Sequence, residues 1–343
     1  MKHAMPELVG NVTLKERLCR DILAGSLPHA LILEGARGTG KHTVARLCAS
    51  ALACEKKEDP KASIPCMTCP SCRKIAEAKC PDVIVVGSEG KASVGVDTVR
   101  FLREDVRIRP NDLEFKIYII EDADRMTVQA QNALLLTLEE PPAYVRFFLL
   151  CENAGLLLET IRSRAPILRT EPIQLDELDA YLTERDIRAA QMKLSAPKEY
   201  DALLLSAGCG IGRALELLDP KVFAPIKENR ALVEALAQAA IRKKGASRIL
   251  PLLTRFSSKR DLLRDQLKLL SDAARDLVLL KKCEEVPLIF FADRNAAIEL
   301  CDGASLHFLC QFETAVRRAI EDNTRNANVR LLLIRMVSSL ELL

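Results

Sequence analysis

The 343-residue sequence has no tryptophan, and aromatic residues make up only 4% of it. Its cores must therefore be built from Leu, Ile, Val and Ala, which favours helices and a buried parallel sheet over an aromatic-rich β-sandwich. An excess of charge is also missing, since 50 Lys and Arg against 47 Asp and Glu leave +3. That near-neutrality excludes a global attraction to nucleic acid or an anionic membrane and leaves only local patches. No apolar run approaches the roughly 18 residues that span a bilayer. The start, "MKHAMPELVGN", lacks the apolar core of a secretory signal, so the expected compartment is the cytoplasm, with no membrane partner. No internal repeat or low-complexity tract is present. A chain of this length exceeds one hydrophobic core, and two or three domains are expected.

What is present begins with "GARGTGKHT", residues 35–43. Gly35, Gly38, Gly40 and Lys41 have the G-x-x-x-x-G-K spacing of a loop that cradles phosphates with backbone N–H groups, a helix N-terminus and a lysine. The run "HALIL" (29–33) reads as the strand before it, and Val44, Leu47, Cys48, Ala51 and Leu52 recur at helical spacing behind it. His42 stands where a Ser or Thr hydroxyl would reach magnesium, ahead of Thr43; an imidazole is bulkier and a poor partner for that hard cation. An ATPase also needs a carboxylate at the end of a buried strand to organise the metal, then a Glu to position water. After "FKIYII" (115–120) the order is Glu121-Asp122, the reverse of Asp-Glu, which misplaces each carboxylate by about one methylene. A nucleotide contact by this pair, or simple solvation of a strand end, both remain open at this point.

Twelve cysteines suggest a disulfide scaffold only until their positions are read. Cys54, Cys66, Cys69 and Cys72 form C-x11-C-x2-C-x2-C, a donor set that closes a tetrahedral zinc site with no open position, hence structural. An iron–sulfur centre or a redox pair uses the same residue type, and Cys80 is a rival ligand. Cys19, Cys48, Cys151, Cys209, Cys283, Cys301 and Cys310 mostly fall in apolar patterns and read as core thiols.

Further strands are expected at 83–86 and 146–151, separated by helices over Val96–Val106 and Val128–Leu138, the latter capped by Thr127 and ended by Pro141-Pro142. Alternating strands and helices predict an α/β unit with a parallel sheet over 1–171, carrying the zinc module at 54–72. Helices predict a small domain over 172–219 and a larger one over 220–343, with Asp219-Pro220 as linker.

Together these features resemble the AAA+ subunits of the bacterial DNA polymerase III clamp loader. "LPHALILEGARGTGKHT", "SVGVDTVRFL", "YIIEDADRMTVQAQNALLLTLEEPP", "TIRSRAP" and the closing "NANVRLLLIRM" are similar to that family's successive motifs. The resemblance implies an AAA+ fold with a helical lid and a collar for assembly. It also implies a hetero-pentamer of gamma/tau, delta and delta-prime subunits that loads a sliding clamp onto primed DNA. Motor subunits keep Ser or Thr after the lysine and Asp-Glu at the strand end; His42, Glu121-Asp122 and "IIEDADRMT" are closer to the delta-prime stator. A gamma/tau-like ATPase is the alternative, and a zinc-dependent nucleic-acid module with a relic loop is a second. By the same resemblance Arg164 is a finger entering a neighbour's ATP site, Asn153 a strand-end sensor and Arg213 a lid sensor, while Ala165 departs from the usual Cys. Whether the loop still binds ATP with magnesium, or only a phosphate, or no nucleotide, is left open by these departures.

Overall fold

The structure is a computed structural model and describes residues 5, 8–59, 62–87, 94–208, 210–242, 246–283, 285–325 and 327–341. It divides into two compact units, Met1–Leu178 with Cys209–Gly212, and Asp179–Gly208 with Arg213–Leu343.

The first unit holds β1 (Ala30–Glu34), β2 (Val83–Val86), β3 (Lys116–Ile120), β4 (Val145–Cys151) and β5 (Ile167–Arg169). They form one sheet in the order β2-β3-β4-β1-β5, and every pairing is parallel. Helices α1 (Val12–Leu23), α2 (Lys41–Leu52), α3 (Pro70–Ala76), α4 (Val96–Asp105), α5 (Val128–Glu139) and α6 (Glu159–Arg162) connect or cover the strands. Successive strand side chains face opposite ways, so the central strands β1, β3 and β4 each feed two cores. Leu31, Leu33, Ile117, Ile119, Phe148 and Leu150 pack with Leu18, Val44 and Leu47 on one face. On the other, Ile32, Tyr118, Phe147 and Leu149 pack with Val99, Leu102, Leu134 and Leu138.

Four strands lie within a residue of their expected positions. The fifth, Ile167–Arg169, was not anticipated: only Leu168 of its three residues is buried, so no apolar run announces it. The Thr127 cap is as expected, its side chain accepting the Ala130 N–H at 3.2 Å. Asp82 is 1% exposed and collects the N–H groups of Asn111, Asp112 and Leu113 at 2.8, 2.6 and 2.8 Å, which fixes the loop leading to β3.

The second unit is helical among the described residues. Its helices are α8 (Ile187–Ser195), α9 (Pro197–Ala207), α11 (Pro220–Ile241), α12 (Ala246–Leu253), α13 (Arg260–Leu280), α14 (Arg294–Asp302), α15 (Leu306–Thr324) and α16 (Val329–Glu341); α7 (Leu175–Arg185) and α10 (Ile211–Leu217) cross the division. Val233, Leu236, Leu267, Leu270, Leu277, Leu309, Phe312 and Val316 make the centre of its core. Asp219-Pro220, expected as a linker, is instead a helix start. The Asp219 side chain caps α11 by accepting the Lys221 N–H at 2.9 Å, and Pro220 takes the first helical position, where no N–H is needed. Two cysteines read as core thiols, Cys283 and Cys310, are exposed, because each lies on the solvent side of its segment; Cys209 lies outside the described residues. No described helix is long and apolar enough to cross a membrane.

Candidate functional site

The carboxyl ends of parallel strands are where α/β sheets bind ligands, and most of the expected residues gather there. Gly35 follows β1, Glu121 and Asp122 follow β3, and Asn153 follows β4. The loop enters α2 through Gly38 and Gly40, both at φ 86°. Lys41 opens that helix with Nζ turned back onto the loop, donating to the carbonyls of Gly35 at 2.5 Å and Ala36 at 2.9 Å. Burial draws the Lys41 ammonium below its ordinary pKa, opposed by the charges of Glu152, Cys151, Asp124 and Asp122. Thr43 is exposed in the first turn of α2.

His42 does not stand alone. Its Nδ1 lies 3.2 Å from Oε1 of Glu121, so the imidazole at the hydroxyl position and the carboxylate at the metal position face each other. Magnesium takes oxygen ligands in a near-octahedral shell; here one oxygen donor is replaced by an imidazole and the other is engaged by it. The donors that remain, Lys41 and the loop N–H groups, suit a phosphate better than that cation.

Two close approaches hold the loop. A Cβ on Gly210 would lie 2.7 Å from the Gly38 carbonyl oxygen, so that stretch of backbone closes directly over the loop. A Cβ on Gly35 would meet the Thr170 Oγ1 at 2.0 Å and the Thr39 Oγ1 at 2.8 Å; these two hydroxyls share a hydrogen bond of 2.7 Å beneath it. Gly35→Ala is therefore expected to displace β5 or the loop and to cost about 1–3 kcal/mol, as overpacking does. A urea midpoint equal to wild type would count against this packing.

Asn153 is exposed and caps the short turn after β4, its Oδ1 accepting the Gly155 N–H at 2.8 Å. Its backbone and that of Glu152 donate to Asp124 at 3.1 and 3.0 Å, a tie between the ends of β3 and β4 that no sequence spacing announces. Arg213 lies in the helical unit, where it pairs with Glu216 at 2.7 Å, a separation normal for neighbours on one helix. Arg164 follows α6. It pairs with Glu139 at 2.8 Å, a partner that the sequence did not suggest.

Cys54, Cys66, Cys69 and Cys72 converge, with all four Sγ atoms within 4.8 Å of one another. A tetrahedron of Zn–S bonds near 2.3 Å has edges of about 3.8 Å, so the set fits a four-sulfur ion with a small contraction. The Cys69 N–H points at the Cys66 sulfur and the Cys72 N–H at the Cys69 sulfur, orienting both as metal thiolates require. Burial opposes ionisation of Cys66, but Thr68, the Cys69 N–H and Cys54 together bring its thiol down to about 6, while burial pushes Cys72 well up. Cys80 is buried and is not part of this cluster.

Residues 10–174 match the family described as DNA polymerase III, delta subunit. The DNA polymerase III subunit gamma of Buchnera aphidicola subsp. Schizaphis graminum is 32% identical over 158 residues, which are 46% of this chain and 42% of that one. The DNA polymerase III subunit delta' of Bacillus subtilis is 32% identical over 219 residues, 64% of this chain and 61% of its own. A solved structure of a DNA polymerase III gamma subunit-related protein from Thermotoga maritima aligns over 95% of this chain and 98% of its own, at 19% identity and a TM-score of 0.48. The chain spans less than half the length of the gamma relatives it matches. Over these stretches the chain is similar to the gamma, tau and delta' subunits of bacterial DNA polymerase III alike.

Proposed function

We propose that the chain is a delta-prime-type stator of the DNA polymerase III clamp loader, supporting ATP-dependent loading of the sliding clamp onto primed DNA without turning over ATP itself. The observation that carries this reading is the contact between His42 and Glu121, 3.2 Å apart at the place where a motor organises magnesium. The Gly210 backbone over Gly38 supports it, since a nucleotide would have to displace that segment. In this reading the chain assembles in the cytoplasm with gamma/tau and delta subunits and meets clamp and primed DNA through the complex. Residues 1–171 form the AAA+ part, 172–219 the lid and 220–343 the collar. The four cysteines hold a structural zinc, and Arg164 serves the ATP site of a neighbouring motor.

Purified chain, alone or with clamp and primed DNA, is expected to turn over ATP at least about a hundredfold more slowly than a motor subunit, as displaced metal and water ligands imply. Lys41→Ala should leave that residual rate unchanged. Sustained turnover that disappears on Lys41→Ala would instead establish the second reading, a gamma/tau-like motor. That reading is favoured by the gamma and tau relatives and by the retained lysine.

A further inference from the structure

We propose that Glu139 is the positioning residue for the Arg164 guanidinium, a step that rests on the reading of Arg164 as a group offered to a neighbouring subunit. Glu139 is the last residue of α5, and its Oε1 lies 2.8 Å from Nη2 of Arg164. The other terminal nitrogen, Nη1, donates to the Thr160 carbonyl at 3.0 Å and to the Ser163 hydroxyl at 3.4 Å.

The backbones that carry the pair are fixed. Leu138 is 1% exposed and Ile161 and Ala165 are fully buried, and the N–H groups of Arg164 and Ala165 both donate to the Ile161 carbonyl at 3.0 Å. Two short reaches from rigid anchors therefore meet at the surface.

Neither helix stability nor fold stability accounts for Glu139. A carboxylate at a helix C-terminus opposes the helix dipole, and the last turn of α5 contains no basic residue to offset it. The pair is also open to water, the side chains being 36% and 44% exposed, a setting in which ion pairs contribute little to folding. What the contact does change is the freedom of a long side chain. An unrestrained arginine samples many rotamers, whereas one held at Nη1 and Nη2 presents its remaining donors in a fixed fork. Transition-state stabilisation depends on such preorganisation, because a donor that must first be ordered contributes less at the moment of reaction.

The test uses the complete clamp loader reconstituted with its cognate motor, mixed with ATP, clamp and primed DNA, and followed by the burst of phosphate release. Glu139→Gln should slow the burst phase that Arg164→Ala removes by about tenfold. The ATP concentration for half-maximal rate, complex assembly and the melting temperature should stay at wild-type values. Glu139→Asp should recover part of the lost rate, and Glu139→Gln added to Arg164→Ala should cause no further loss, because the two act as one unit. A normal or faster burst with Glu139→Gln beside a crippled one with Arg164→Ala overturns the positioning role and leaves the stator reading standing. A normal burst with Arg164→Ala removes the stator's finger, and this inference with it.

Discussion

Arg164→Ala should remove one phosphate from the burst released when the assembled loader meets clamp and primed DNA, while leaving the fold and the cysteine cluster of this chain intact. An arginine supplied across a subunit boundary stabilises charge on the transferred phosphoryl group and is worth on the order of 10³-fold or more in rate. A loss of that size at one site is effectively silence during a single loading event. The mutation is separable from folding because the Arg164 side chain is partly exposed and its contacts are with Glu139, Thr160 and Ser163 at the surface. Removing it leaves the buried neighbours Ile161 and Ala165 untouched. Arg164→Lys should behave nearly as badly, since an ammonium cannot reproduce the guanidinium fork. A full burst from the Arg164→Ala complex would remove this residue from the mechanism.

Stripping the cysteine cluster should have the largest effect on stability. Closed four-thiolate zinc sites in small domains carry apparent binding energies of about 10–16 kcal/mol, and that energy is folding energy. In the stretch between α2 and α3, Ile64 and Met67 join the main core, but Cys54, Cys69 and Cys72, with Cys66 packed against them, form a separate small core of their own. Purified protein should contain one zinc ion per chain. Cys72→Ser should lose the metal and lower the melting temperature by several degrees, and strong chelators should do the same to wild type. Cys80→Ser should keep the metal, since Cys80 stands outside the cluster. Because a metal takes thiolates and not thiols, loading should release protons. Retention of zinc by Cys72→Ser, or its loss from Cys80→Ser, would reassign the ligands.

Much of this architecture could be read from local pattern. A strand buried on both faces leaves a continuous apolar run, which is why 146–151 is legible; the edge strand 83–86 is legible from its β-branched run although Val85 is exposed. The three-residue β5 leaves no such trace, and Asp219-Pro220 was misread because the same dipeptide that opens a loop also opens a helix. The four cysteines were legible because ligand spacing is a short-range signal. What the sequence could not announce are contacts closed by the fold: His42 with Glu121, 79 positions apart; Gly38 under Gly210, 172 apart; Arg164 with Glu139, 25 apart. Each joins residues that a motif search scores separately. The departure at position 42 and the reversed acids were visible one by one, but only their proximity makes them a single change.

The pair of hydroxyls beneath Gly35 has a consequence for descent. The His42 side chain is 54% exposed, so once catalysis is no longer selected, position 42 can drift without disturbing any core. Position 35 has no such freedom, because any side chain there collides with Thr170 and Thr39. In a lineage that has surrendered hydrolysis, the residues that did the chemistry should erode first and the glycine that made room for it last. A fingerprint of catalysis can then persist for purely architectural reasons, long after the reaction it evolved for has moved to another polypeptide.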